Sequence, residues 1–410
     1  MDWVDHAILW HVYPLGALGA PIREGDHTPT PRLQELIPWM DYAVELGASA
    51  ILLGPIFQSS THGYDTLDQF YIDPRLGSDE DFDEFMKAAK QKGLRVVLDG
   101  VFSHVGEDDP RVAKALAEGP TSEFASMFDI DWGAPGGPRP RVFEGHGSLV
   151  RLNHSDEGAK AYATDVMNHW MSRGVDGFRL DAAYSVDPTF WQEVLGEVRK
   201  SYPDAWFLGE VIHGDYEEFV EDSGVDTLTQ YQLWKAIWSS INDKNLFELD
   251  WALKQHGEML EKFVPNTFVG NHDVTRIASK VGADGALVAL AILMTVGGIP
   301  SIYYGDEQGY TGVKEERFGG DDDIRPALPS SPDAFSPLGE RFLRAHQDLI
   351  GLRRRNPWLT DATTKVLSLD NTKMVYESRS RTGDEHVTVE VDASETPTAT
   401  VRDASRTLTL

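Results

Sequence analysis

"GVDGFRLDAA", residues 174–183, places Arg179 and Asp181 two residues apart at the end of a short apolar run. The run has no helical period. Read as a strand, it sends both side chains to the same side. A strand ending "FRLD" therefore presents a guanidinium beside a carboxylate. That is either a structural ion pair or a carboxylate held ionised for chemistry. What the neighbouring strands end in decides between the two.

Seven further runs read as strands: "AILWHVY" (7–13), "SAILLG" (49–54), "RVVLD" (95–99), "WFLGE" (206–210), "VDTLT" (225–229), "TFVGN" (267–271) and "PSIYYG" (300–305). Amphipathic helix patterns lie between them. "PRLQELIPWMDYAVELG" has Pro31 near its start and Gly47 after its end, and "SDEDFDEFMKAAKQKG" opens acidic and stops at Gly93. "DEGAKAYATDVMNHWMSRG" ends at Gly174, and "SPLGERFLRAHQDLIGLRRR" is the last long helix. Eight strands alternating with helices predict an α/β fold, a (β/α)8 TIM barrel. A doubly wound open sheet is the alternative, disfavoured because no Gly-rich turn follows the first strand.

The gap between the third and fourth strands is long. It predicts a lobe at 105–151 inserted between two parts of the barrel, 1–104 and 152–356. From 357 to 410 the pattern turns to period two, in "KVLSLD", "KMVYESRS", "HVTVEVD", "TATVRD" and "RTLTL", which predicts a small C-terminal all-β domain.

Composition narrows the function classes. The chain of 410 residues has a formal net charge of −29, a surface that repels nucleic acid and anionic membranes. It contains no cysteine, which excludes disulfides and thiolate metal sites. "MDWVDHAILWHVYP" lacks the basic and apolar pattern of a signal peptide, and "GALVALAILMTVGGIPSIYYG", the longest apolar stretch, is cut by glycines and Pro300. A soluble cytoplasmic protein, monomer or homodimer, is the expectation.

The strand ends now carry the argument. The third ends at Asp99, the fourth at Asp181, the fifth at Glu210, and the seventh at Asn271, His272 and Asp273. In a parallel barrel these ends share one face, the face that carries the site. A single aspartate there reads as a helix cap or a turn residue; four carboxylates in register read as a convergent site. Glycosidic cleavage uses such a set, one carboxylate attacking the anomeric carbon and another protonating the leaving oxygen. Arg179 suits Asp181 to the ionised role. Glu210, after the apolar "WFLG", has less positive company and suits the proton donor.

These motifs, in this order, resemble the α-amylase family, glycoside hydrolase family 13, from about Ile8 to Arg355. "DGVFSH" (99–104), "GFRLDAA", "FLGEVIHG" and "FVGNHD" resemble its first four regions, and "LVRLN" (149–153) its fifth. The resemblance implies Asp181 as nucleophile, Glu210 as acid/base and Asp273 as transition-state stabiliser. It implies sugar contacts at Tyr64 of "SSTHGYDT", Asp99, His104, Arg179 and His272, and at Asp321 and Arg325 of "GDDDIRP". Trp132, Tyr231 and Trp234 are candidate outer-subsite aromatics. His62, His213 and Asp226 also fall near strand ends.

Departures from the family pattern shape the expectations. Ser103 stands where the first region usually has Asn, a calcium ligand in many members. No cofactor is expected, and calcium is not expected at that site; "GEDDP" and "GGDDD" are the other acidic stretches. Arg151 stands where maltogenic-type relatives carry Lys and oligo-1,6-glucosidase relatives carry Asp. Ala182 after the nucleophile goes with α-1,4 linkages. "GEVIHG" and "LVRLN" look nearest the cyclomaltodextrinase and neopullulanase group, and because the first strand begins near residue 7 the expectation is a barrel without that group's N-terminal β-domain. The expectation is a retaining hydrolase of α-1,4 bonds in maltooligosaccharides or small cyclic glucans. An α-glucan transferase, a trehalose-forming isomerase and a non-catalytic sugar-binding relative are the alternatives.

Overall fold

The computed structural model describes residues 3–23 and 27–410. Eight parallel strands form the central sheet: β1 (Leu9–Val12), β2 (Ala50–Leu53), β3 (Arg95–Gly100), β4 (Gly177–Leu180), β5 (Trp206–Gly209), β6 (Thr227–Leu228), β7 (Asn266–Thr267) and β8 (Ile299–Tyr303). Their order is β6-β5-β4-β3-β2-β1-β8-β7, and a parallel bridge between Thr229 and Asn266 joins the two ends. This is the (β/α)8 barrel that the alternation predicts.

Strand alternation sorts the core into two layers. Trp10, Ile51, Val96, Leu98 and Phe178 point outward and pack with the surrounding helices. Leu9, Leu52, Val97 and Leu208 point inward and form a separate apolar plug. One period further along β1 and β3, and at the matching position of β4, the inward residues are His11, Asp99 and Arg179, all buried. The interior therefore changes from apolar to charged towards the carboxyl ends. Gly177, the inward residue below Arg179, has no room for a side chain, because a Cβ would come within 2.1 Å of the Trp206 carbonyl oxygen.

Local signals explain the helices. Ser78 and Asp81 form a capping box at the head of Asp79–Gln91, and Asp156 caps Glu157–Ser172 through the Ala159 N–H; each such cap stabilises by about 1 kcal/mol. The pattern at 31–47 predicts one helix, but the chain forms two, Arg32–Glu35 and Trp39–Leu46. Pro38 sits between them and has no N–H to continue the ladder. The apolar run near 285–295 joins a shorter helical stretch across a kink at Gly282 (φ 76°), and by length and composition the kinked helix Ile277–Thr295 is long and apolar enough to cross a membrane. The sequence reading, which stopped at the glycines, missed this. In the fold the helix is mostly buried, between the helix Tyr231–Asn242, the last barrel helix Glu340–Arg355 and the C-terminal sheet.

Between β3 and β4 the chain leaves the barrel. His104–Gly106 pairs antiparallel with Leu149–Arg151, and the helix Pro110–Glu118 and two short strands lie between them. After the barrel, β9 (Thr363–Leu369), β10 (Lys373–Arg379), β11 (His386–Asp392), β12 (Thr398–Arg402) and β13 (Thr407–Thr409) form an antiparallel meander. Its buried positions alternate as predicted, and the Tyr376 hydroxyl lies 2.6 Å from Thr295 Oγ1 of the apolar helix.

Candidate active site

Arg179 is the hub of the charged layer. It lies in register with Asp99 on β3 and Leu208 on β5. Its Nη1 donates to both oxygens of Asp99 at 2.7 Å and lies 3.2 Å from Asp181 Oδ1, and its Nη2 lies 2.6 Å from Glu210 Oε1. One guanidinium fork thus holds carboxylates from the ends of three neighbouring strands. The sequence reading gave Glu210 less positive company than Asp181. The structure corrects this, because a β4 side chain midway across the barrel reaches the ends of both flanking strands.

The electrostatics need a second correction. Burial first, and the charge of Glu210 second, push the Asp181 carboxyl well above the usual range; Arg179 opposes them and is outweighed. The Asp181 proton is thereby linked to the state of Glu210. Burial also raises Asp99 against the pull of Arg179. Asp273 behaves in the opposite way. Burial disfavours its charge, but His272, Arg325 and Arg179 together hold it well below the usual range.

Two networks position the remaining groups. On one side, His272 Nε2 lies 2.9 Å from Asp273 Oδ2 and also meets the Tyr64 hydroxyl, which donates to Asp99 Oδ2 at 2.9 Å. The rings of Tyr64 and Tyr13 lie nearly parallel to His272, at 8° and 5°. Arg325 Nε donates to the His272 carbonyl at 2.9 Å, and its Nη2 lies 3.0 Å from Asp273 Oδ1 and 3.2 Å from Asp321 Oδ2. On the other side, Tyr231 donates to Glu210 Oε1 at 3.2 Å and accepts from Asn271 Nδ2 at 2.8 Å. The Ala182 N–H donates to Glu210 Oε2 at 2.9 Å. Ala182 adopts a left-handed conformation (φ 46°) to do so, a strained geometry for a residue with a Cβ and one that concentrates at functional sites.

The structure thus brings Asp181, Glu210, Asp273, Tyr64, Asp99, Arg179, His272, Asp321 and Arg325 into one cluster. His104 joins it at one remove: its Nε2 lies 3.0 Å from the Tyr64 carbonyl oxygen, its Nδ1 2.6 Å from Ser103 Oγ, and burial pushes its pKa down to about 4. The outer aromatics fare differently. Tyr231 is a hydrogen-bond donor to Glu210. Trp234 packs against Phe268 at 6.3 Å, and half-buried Trp132 forms no ring pair or hydrogen bond among the described residues. Asp226 lies at the opposite end of the barrel, bonded to Arg199 and the Phe207 N–H. His62 accepts from the Tyr64 N–H at 3.2 Å and orients that loop, and His213 tilts against Tyr184.

Sequence reasoning passed over four residues. Tyr13 directly follows β1, so the strand-end rule that found Asp181 also reaches it. Tyr184 donates to Glu144 at 2.8 Å, and Phe143 stacks on His104 at 4.8 Å. Phe143 and Glu144 lie in irregular chain of the lobe, where no periodic signal exists. A surface cavity of about 960 Å³ beside Lys87, Arg95 and Arg173 opens at the amino ends of the strands, away from this cluster.

The acidic stretches are engaged internally. Asp109 caps the helix Pro110–Glu118 and pairs with Arg111, Asp108 accepts from Ser60, and Asp322 pairs with Arg23. Among the described residues, no group of three or more His, Asp or Glu side chains is arranged to hold a metal ion. Ser103 Oγ is itself engaged with His104. Any catalytic activity of this cluster is therefore expected to survive exhaustive dialysis against EDTA, measured as an initial rate before and after. Loss of rate restored by calcium would contradict this.

The alpha amylase catalytic-domain family matches residues 22–133 and 142–365. A cyclomaltodextrinase from Geobacillus thermopakistaniensis is 30% identical over 90% of this chain and 66% of its own length. A maltogenic alpha-amylase from Bacillus acidopullulyticus is 31% identical over 80% of this chain and 56% of its own. The chain thus spans less than two thirds of the length of either relative. The ligand-free structure of a cyclic α-maltosyl-(1→6)-maltose hydrolase from Arthrobacter globiformis is similar at TM-score 0.84 and 26% identity, over 100% of this chain and 98% of that one.

Proposed function

The chain belongs to the α-amylase family, and from that premise we propose that it is a retaining α-glycoside hydrolase acting on short α-1,4-glucans. The observation that carries the reading is the shared guanidinium: Asp181 and Glu210 both sit on Arg179, with Asp273 held ionised by His272 and Arg325. In this reading Glu210 carries the proton when substrate binds, and Asp181 is the ionised partner. Asp181 attacks C1 as Glu210 protonates the departing oxygen, which forms a covalent β-glycosyl intermediate. Glu210 then takes a proton from the incoming water. Asp273 supplies the fixed negative charge towards which the oxocarbenium-like ring develops its positive charge. Tyr231 and the Ala182 N–H orient the Glu210 carboxyl.

Two measurements test the mechanism. The carboxyl groups of Asp181 and Glu210 are expected about 5–5.5 Å apart in a crystal structure with bound sugar, the retaining spacing. The first-formed product from maltotetraose should carry the α configuration by NMR. A β-anomer at early times would make the enzyme inverting and remove Asp181 as nucleophile.

The matched relatives are named for cyclic glucans and maltose production, and small Ala182 leaves room beside the acceptor. Maltooligosaccharides or small cyclic glucans, met as already small sugars in the cytoplasm, are the proposed substrates. kcat/KM on long starch is expected at least about tenfold lower, roughly 1.4 kcal/mol of transition-state binding. Comparing maltotetraose, a cyclodextrin, isomaltose and starch tests this. A preference for isomaltose overturns the linkage, a preference for starch overturns the size, and glucosyl transfer to sugar as the main outcome would favour a transferase.

A further inference from the structure

The rim of the barrel has two halves. Glu210, Tyr231 and Asn271 come from the ends of β5, β6 and β7. On the opposite half, loops after β8, β1 and β2 enclose a cavity of about 370 Å³ together with the lobe. Asp321 and Arg325 line it, and Arg325 also lies 3.0 Å from Asp273 Oδ1, so the cavity continues the catalytic cluster. If the leaving oxygen meets Glu210, the sugar units beyond the attacked ring run the other way, into this cavity.

Its outer end carries an unusual group. Phe318 is 87% exposed, on a loop held by backbone bonds between Glu315 and Gly320. The Arg23 guanidinium lies 5.1 Å from its ring centre and forms a two-pronged bridge to Asp322, at 2.7 and 2.5 Å. No core requires this ring. An exposed aromatic platform beside a polar cavity suits the C–H face of a sugar. The volume lies near the lower bound of about 300 Å³ for ligand pockets, room for a short oligosaccharide end.

We propose that Phe318 is a specificity-determining residue on the glycone side: it stacks on the second glucosyl ring, and the Arg23–Asp322 bridge ends the cleft behind it. A maltosyl unit is then the longest glycone the site takes well. This inference rests on the α-glucan hydrolase reading.

The test compares α-glucosyl fluoride, with one ring, and α-maltosyl fluoride, with two. Phe318→Ala should lower the maltosyl-to-glucosyl ratio of kcat/KM roughly fivefold, through KM and not kcat. The ratio is independent of how much enzyme is folded. On reducing-end-labelled maltohexaose the unaltered enzyme should release chiefly maltose, and Arg23→Ala should shift the products to maltotriose and longer. A ratio moved less than twofold by Phe318→Ala, or long glycones released from the start, overturns the inference while the hydrolase reading stands. Failure of the unaltered enzyme to hydrolyse either fluoride overturns both.

Discussion

Asp181→Asn is expected to lower kcat on maltotetraose at least about a thousandfold while leaving the fold intact, because it removes the attacking group of the proposed mechanism and little packing. The amide oxygen of Asn can still accept from Arg179 Nη1, as Asp181 Oδ1 does at 3.2 Å, and the backbone bond from residue 181 to the Gly100 carbonyl is untouched. Asp181 is also an electrostatic liability, since burial and Glu210 both oppose its charge. Removing that charge should leave the melting temperature equal or higher, the usual direction when a strained active-site group is neutralised. Activity and melting temperature therefore move independently. A variant that keeps more than about a tenth of the activity would refute the nucleophile assignment.

The same cluster shows what a linear reading reaches. Strands are legible because inward and outward residues alternate and turn residues punctuate them, so "FRLD", "RVVLD" and "WFLGE" delivered Asp181, Asp99 and Glu210 to one rim. Contacts across the barrel are not legible in this way. That Arg179 reaches Glu210 as closely as Asp99 depends on the register of β4 against β5, which no local pattern encodes. The sequence shows Tyr231 as a ring after a strand end, whereas its hydroxyl is the part that meets Glu210. Phe143 and Glu144 reach the site from an irregular lobe, where neither period two nor period 3.6 exists to place them. The helix at 31–47 failed for a local reason: its apolar positions suit one helix, but Pro38 breaks the ladder inside it.

Glu210→Gln makes the complementary prediction, and its effect should depend on the leaving group. Gln cannot protonate a departing sugar oxygen, so turnover of maltotetraose should fall about 10²- to 10⁴-fold. α-Maltosyl fluoride needs no proton to leave, so its first step should be largely spared, and breakdown of the intermediate should become limiting. Azide, which needs no general base, should then restore turnover and form an α-glycosyl azide, since it attacks the face that the leaving group vacated. Stability should move opposite to that of the Asp181 variant. Glu210 Oε1 accepts from Arg179 and Tyr231, and Oε2 accepts from the Ala182 N–H. Gln has one acceptor oxygen, so its NH₂ must face a donor in either orientation, which costs about 1–3 kcal/mol. Equal loss on both substrates, with no response to azide, would mean that Glu210 holds the site together without supplying the proton.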